Sequence, residues 1–307
     1  MKSAIKHRVA IVCSFLLLAL GSAFAADMKP EEVLQKHLAA IGTPEARAAA
    51  KSRVVEASVS YKILQGGSGE FQGTGALVSD GDKELLMLKI ATLKYHGEKF
   101  VRDGNRTFVA GTYDDGSRSE FGEFLRAEDA ALREGLLGGV WSTGWALLAP
   151  DAEKKLKPQG IKKVDGVEYY AVSYHPKKGG DLDITLYFEP TTFRHVMTVY
   201  KASLHAGIGG TNPDANMGAP APAAPNSSGT DLSGGADTAS ARQQETRYRI
   251  EERFSDFQTT DGLSLPAHYE LRFQEDLTSF TKLVDWNLTS TAIKTNIPID
   301  AKNFAIH

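Results

Sequence analysis

The chain has 307 residues, with 35 Lys and Arg against 38 Asp and Glu, a formal net charge of −3, and one cysteine. Mild acidity without a basic cluster excludes the phosphate-neutralising surface on which nucleic-acid affinity rests. The single Cys13 lies in the first 25 residues, so everything after it lacks a disulfide or a thiolate metal site and owes its stability to burial.

Lys2, Lys6 and Arg8 precede an apolar run from Val9 to Leu20, and Ala23-Phe24-Ala25 fits a small-x-small cleavage rule. This is the pattern of a secretory signal peptide cut after Ala25. An uncleaved anchor is the alternative, but spanning a bilayer takes roughly 20 apolar residues. Lipidation at Cys13 is disfavoured by bulky Val12 and by the hydrophobic run that continues past it. Cleavage removes three positive charges and no acid, which takes the net charge from −3 to −6.

After Lys29, Pro30-Glu31-Glu32 open a helix whose apolar stripe is Val33, Leu34, His37, Leu38 and Ile41, closed by Gly42. A second short helix starts at Thr43-Pro44-Glu45 and runs to about Lys51. From Arg53 the period changes to two. Val55, Ala57, Val59, Tyr61 and Ile63 face one way, and a glycine turn leads to Phe71, Gly73, Gly75 and Leu77 on the return strand. Two successive inward glycines suit a bend, a bulge or the close approach of another group. Five strands are expected by Tyr113.

The spacing then predicts a helix from about Ser119 to Leu137, with Phe121, Phe124, Leu125, Ala131, Leu132 and Leu136 on one stripe. Glu128 interrupts that stripe, which allows two shorter helices. The apolar, glycine-rich stretch from Gly138 to Leu148 contains Trp141 and Trp145 and reads either as ordinary core packing or as a cover over an apolar opening. Strands resume at Lys154. Between Val167 and Tyr200 a three-strand meander puts Leu182, Ile184, Leu186 and Phe188 on one face and Asp183, Thr185 and Tyr187 on the other. Residues 206–240 are Gly, Ala, Pro, Ser, Asn and Asp with few apolar residues, the composition of a disordered insertion between strands. The remainder reads as strands through Tyr248, Ile250 and Phe254, then Leu265 to Phe273, then Phe280 to Leu288. The total is about twelve strands and three helices.

The familiar catalytic signatures are missing: no HExxH, GxSxG, Walker sequence or strand-borne GxGxxG is present. His175 and His195 fall where neighbouring strands would bring them together, but solvent-edge or turn positions are favoured for both. Asp181 and Asp183 read as solubilising residues rather than a carboxylate pair. No metal, cofactor or catalytic residue is implied, so an enzyme is disfavoured. The acidic and basic residues from Arg247 to Arg253 read as a hydrated outer face. The inward aromatics, Phe71, Tyr169, Phe188, Tyr248, Phe254, Tyr269, Phe273, Phe280 and Trp286, either fill a closed barrel or line a groove for an apolar ligand.

The signal peptide, the opening helix EEVLQKHLAAIG, the long antiparallel strands, DGVEYYAVSYHP followed by DLDITLYFEPTTF, and the late DGLSLPAHYEL together resemble the LolA/LolB-like periplasmic lipoprotein carriers and their larger lipoprotein-sorting relatives. The resemblance implies an α+β, mainly β fold, in which a curved, incompletely closed antiparallel barrel of about 11–12 strands is covered by two or three helices. It implies one such domain over 26–307 and a soluble, monomeric periplasmic carrier of lipid or lipoprotein acyl chains. Membrane-bound donor and acceptor proteins would be its partners. Without a lipobox the chain resembles the soluble carrier more than the anchored acceptor. On this reading Phe71, Leu182, Ile184, Leu186, Phe188, Tyr248, Phe254, Tyr269, Phe273 and Trp286 line the groove, and Phe121, Phe124, Leu125, Trp141 and Trp145 belong to its lid. The competing reading is a non-catalytic envelope scaffold with a self-filled β core, whose 206–240 insertion contacts a protein partner.

Overall fold

The computed structural model describes residues 28–113, 118–177, 182–205 and 245–306; the expected signal peptide and the 206–240 insertion lie outside them, as does Asp181. In chain order the strands are β1 (Ser52–Gln65), β2 (Gly69–Asp80), β3 (Lys83–Ile90), β4 (Glu98–Asp103), β5 (Arg106–Gly111), β6 (Leu156–Val164), β7 (Val167–Tyr174), β8 (Asp183–Phe188), β9 (His195–His205), β10 (Glu245–Thr260), β11 (Leu263–Asp276) and β12 (Thr281–Thr295). They form one antiparallel sheet in the order β5-β4-β3-β2-β1-β12-β11-β10-β9-β8-β7-β6. Two meanders are thus joined where β1 pairs with β12, with Tyr61 opposite Trp286. β5 and β6 remain at the edges, so the sheet curves around a core without closing.

Period-two alternation builds the strands as expected. Along β1, Val55, Ala57, Val59 and Tyr61 are buried while Glu56 and Ser58 are exposed. The β10–β11 turn uses Asp261 and Gly262 at φ 50° and 76°, and β6–β7 turns on Asp165 and Gly166 at 51° and 85°. Positive φ at both central residues is the two-residue hairpin geometry that follows the strand twist. At Gly73 an added Cβ would stand 2.0 Å from the Lys89 carbonyl oxygen, so the group that approaches this glycine strip is the neighbouring strand β3.

The helices all pack into the sheet's single large apolar cluster. α1 (Pro30–Ile41) buries Val33, Leu34, His37 and Ile41, and α2 (Pro44–Ala49) follows it. The helix expected from Ser119 to Leu137 is two: α3 (Glu120–Ala127), capped at its C-terminal end by Glu128, and α4 (Ala130–Arg133). Glu128 ends the first because continuing the helix would carry a carboxylate into the apolar stripe. Short 3-10 turns follow at Gly139–Trp141 and Ala146–Leu148. Phe304 lies in a second, smaller cluster with Val78, Leu85 and Val101.

Two aromatics expected to face inward do not. Phe280 is exposed in the β11–β12 turn, where alternation has no strand to act on. Tyr169 meets Tyr187 edge-on, on the opposite face from core residue Tyr170 and from Ile184, Leu186 and Phe188. The inward tyrosine of β7 is therefore Tyr170, one residue along.

Candidate functional site

The residues expected to form a groove and those expected to cover it meet in one continuous apolar core. Leu182, Ile184, Leu186, Phe188, Phe254, Tyr269, Phe273 and Trp286 are buried; Phe71 and Tyr248 are half-buried at its margin. Phe121, Phe124, Leu125, Trp141 and Trp145 are buried against them. The contacts fall into two regions that differ in how the cover is held.

Under the body of α3 rings meet rings, while its N-terminal end is tied by Glu98 and by an ion pair from Glu120 to Lys282. Phe121 lies 5.2 Å from Phe100, 5.6 Å from Phe273 and 5.5 Å from Trp286, while Phe124 lies 4.9 Å from Tyr248 and 6.3 Å from Phe273. Burial of each ring is worth about 1.5–3 kcal/mol. Tyr61, Tyr95 and Phe71 extend this floor: Tyr61 is 5.2 Å from both Tyr95 and Trp286 and 6.2 Å from Phe71. The helix is fixed at its N-terminus by Glu98. The carboxylate accepts from Ser119 N at 2.7 Å, from Ser119 Oγ at 2.7 Å and from the Tyr95 hydroxyl at 2.8 Å, while Ser119 Oγ in turn accepts from Gly122 N at 3.2 Å. A carboxylate here complements the helix dipole. Burial nevertheless raises the Glu98 pKa, against the opposing pull of its bonds to Ser119 and Tyr95. Beside α3 a cleft of about 400 Å3 opens between Arg118, Glu123, Phe124 and Ala127 on one side and Tyr248 and Glu275 on the other.

The second region, around Gly138 to Trp145, is tied down by buried polar contacts. Arg53 Nη1 donates to Val140 O at 2.6 Å and Trp141 Nε1 to Pro266 O at 2.6 Å. Arg102 Nη2 donates to Gly144 O at 2.9 Å and Thr143 N to Ser79 Oγ at 3.0 Å. Glu252, fully buried on β10, accepts from Gly138 N at 2.7 Å, from the Tyr269 hydroxyl at 2.7 Å and from the Tyr200 hydroxyl at 2.5 Å. Burial pushes its pKa up to about 7, with those three donors opposing and Glu84 adding to the rise. Trp141 packs edge-on to Tyr269 at 5.4 Å, and an added Cβ on Gly139 would meet the Phe254 ring at 2.7 Å. Among the expected lid residues, Trp141 and Trp145 thus belong to a wall fastened by buried polar contacts, whereas Phe121, Phe124 and Leu125 ride on a helix held by ring contacts, by the Glu98–Ser119 bonds at its N-terminus and by a half-exposed ion pair between Glu120 and Lys282 of β12.

His195 departs from expectation. It is buried, and β8 lies between its strand and that of His175, so the two do not pair. A register shift at Tyr187 and Phe188 turns it into the core. There it meets His37 at 6.2 Å, Trp145 at 5.0 Å and Phe254 at 5.0 Å. Burial brings the His37 pKa down to about 4 and that of His195 well below its usual value. His37 Nδ1 bonds to Phe193 O at 2.8 Å. His175 is exposed beside Ser173, and Asp183 is on the exposed face of β8 as expected. Glu251 is also buried, although it lies on the expected outer face: Arg249 and Arg253 fold over it.

Sequence reasoning passed over Glu252, Glu98 and Arg53. The signal for Glu252 was present, because the alternation Tyr248, Ile250, Phe254 places residue 252 on the same inward face. Among the described residues there is no group of three His, Cys, Asp or Glu able to hold a metal, and no helix is long and apolar enough to cross a membrane.

No family model matches this chain, and no curated protein does. Solved structures similar to it include a LolA superfamily protein, NE2245, from Nitrosomonas europaea, at 13% identity and TM-score 0.45, with 91% of this chain and 99% of that one covered. A putative outer membrane lipoprotein-sorting protein domain from Vibrio parahaemolyticus matches at 7% identity and TM-score 0.38, covering 88% and 97%. The Pseudomonas aeruginosa MucA/MucB complex matches at 10% identity and TM-score 0.23, covering 87% and 100%.

Proposed function

We propose that the protein is a non-catalytic periplasmic carrier that takes an acyl chain of a lipid or lipoprotein onto the aromatic floor beneath α3. The floor is Phe71, Tyr248, Phe273 and Trp286, extended by Tyr61 and Tyr95, and α3 is the part of the cover that moves. The single observation carrying this reading is the unequal fastening of the cover. Phe121 and Phe124 hold the body of α3 down by ring contacts, with polar ties only at its N-terminal end through Glu98 and Glu120, and an acyl chain offers the floor the same apolar surface; the Gly138–Trp145 wall is held along its length by buried polar contacts that no acyl chain replaces. Carrying lipid through water requires hiding its chains, at about 25 cal/mol per Å2 of apolar surface removed. An exchange of ring for chain keeps that surface covered in both states. Leu182, Ile184, Leu186 and Phe188, the last of which packs against His37, then form a permanent wall rather than the binding surface.

The test is to purify the exported protein from its own host, extract it for bound lipid by native mass spectrometry, and titrate delipidated protein with a fatty-acyl probe. Acyl-containing adducts and saturable binding are expected. Lipid-free protein that takes up no probe would end the proposal. The competing reading, a protein-binding scaffold, draws on the buried polar fastening of the wall and the full burial of Trp141, Trp145 and Trp286. Deleting 206–240 separates the two: loss of a protein partner without effect on probe binding favours the scaffold.

A further inference from the structure

Three cations meet at the end of the sheet where β1 begins, and among the described residues none of them has an ion-pair partner: Arg47, Lys51 and Arg53. Elsewhere Arg102 pairs with Glu84, Lys155 with Glu134 and Arg272 with Asp285. Arg53 holds an inward position of β1, in step with buried Val55, Ala57 and Val59, and is only 2% exposed. Its Nη1 donates to Val140 O, but Nε, also buried, has no hydrogen-bond partner. A buried cation without a counter-charge is destabilising, and burial brings the Arg53 pKa down to about 10. Two acids act on the group without pairing with it, Asp261 on Arg53 and Glu45 on Arg47. Asp261 is bonded to Thr295, and Glu45 to Thr43.

Beside Arg53 lies a void of about 20 Å3 whose lining includes Arg47, Thr143 and Leu148. The same three residues line a cleft of about 420 Å3 next to α2, together with Pro44, Ala48 and Lys51. No Asp or Glu lines either space. Arg47 Nη1 is bonded to the Leu38 and Gly42 carbonyl oxygens, which leaves its other donors for the cleft. We propose that this cleft binds a phosphate group, with Arg47 and Lys51 in contact with it and Arg53 as the buried counter-charge behind them. Guanidinium forks match phosphate oxygens, and three cations suit a dianion better than a single carboxylate. The void has room for one water, which links Arg53 to the ligand. Pro44, Ala48 and Leu148 give the cleft an apolar side, which favours an alkyl substituent on the phosphate. Arg53 stands eight residues along β1 from Tyr61 of the aromatic floor, about 26 Å in an extended strand. The site therefore goes beyond the acyl-carrier reading and does not depend on it.

The test titrates delipidated exported protein with monohexyl phosphate, inorganic phosphate and hexyltrimethylammonium by calorimetry at low salt, and follows the amide resonances by NMR. Saturable binding of monohexyl phosphate is expected, with shifts at Ala48, Lys51 and Thr143 and none across Glu120–Ala127. A preference of about tenfold over inorganic phosphate, the equivalent of about two buried methylenes, identifies a lipid or alkyl phosphate as the source; equal affinity identifies free phosphate. Lys51→Glu and Arg47→Gln should each weaken binding about tenfold. Arg47→Gln also loses bonds to the end of α1, so Lys51→Glu, at an exposed position, carries the test if that variant fails to fold. Binding of neither phosphate, binding of the ammonium probe as tightly as of monohexyl phosphate, or unchanged affinity in Lys51→Glu would overturn the inference.

Discussion

Substituting Glu252 by Gln tests whether the core holds a carboxylate that prefers to be neutral. Gln keeps the shape and a carbonyl acceptor for Gly138 N, and the Tyr200 and Tyr269 hydroxyls can rotate to accept from its amide. The native carboxyl has its pKa raised from 4.5 to about 7 by burial. The folded state therefore holds this proton more tightly than the unfolded state. Glu252 contributes its full stability below about pH 4.5, and that contribution is lost as pH rises to about 7. A shift of this size corresponds to about 3 kcal/mol across the window. Urea denaturation of both proteins from pH 4 to pH 8.5 gives the difference directly. The Gln variant should gain on the native protein by about 3 kcal/mol as pH rises through the window, with no further change above it. A difference that is flat with pH, or that grows in favour of the native protein as pH rises, would refute the reasoning; it would mean that the three donors outweigh burial and keep the carboxylate charged.

Three further outcomes follow from the same contacts. His37, whose pKa is lowered to about 4, should act in the opposite sense: its stability contribution is present above pH 6.5 and is lost as pH falls to about 4. Since that window overlaps the one for Glu252, stability in Glu252→Gln should fall more steeply on acidification than in the native protein, as urea midpoints at pH 4.5 and 6.5 will show. Ser119→Ala removes the side-chain cap of α3 and one partner of Glu98, which should cost about 1–2 kcal/mol and speed amide exchange over Glu120–Ala127 while leaving Gly139–Trp141 unchanged. Gly97→Ala would set a Cβ 1.9 Å from the Leu88 carbonyl oxygen at φ +95°, so a loss of about 3 kcal/mol in equilibrium unfolding is expected.

The strands were legible because alternation is a strong local signal and each hairpin turn carries its own chemistry; all twelve overlap segments read as strands, some from alternation and others, such as β3 to β6, from the turns that bound them. Even the break at Glu128 was visible as a charge on an apolar stripe. What could not be read is anything set by the curvature of the sheet. Arg53 looks like a strand-start cation in sequence, yet it reaches across to Val140 O, 87 residues away. His195 looked like an edge residue because the register shift that turns it inward depends on pairing with β8. The contacts of the candidate site were half legible: most of its rings were read as inward-facing and are buried together, while the polar bonds that tie α3 and the Gly138–Trp145 segment to the sheet come from Glu98, Arg102 and Glu252, which meet them only in three dimensions.

The central claim is that an acyl chain takes the place of the α3 rings on the floor. Hydrogen exchange with and without saturating 1-palmitoyl-lysophosphatidylcholine tests it at the residues concerned. Exchange should accelerate across Glu120–Ala127 as Phe121 and Phe124 leave Phe273, Tyr248 and Trp286, while the Gly138–Trp145 wall keeps its protection. Ligand bound with α3 as protected as before, or with the wall opening in its place, would contradict the account.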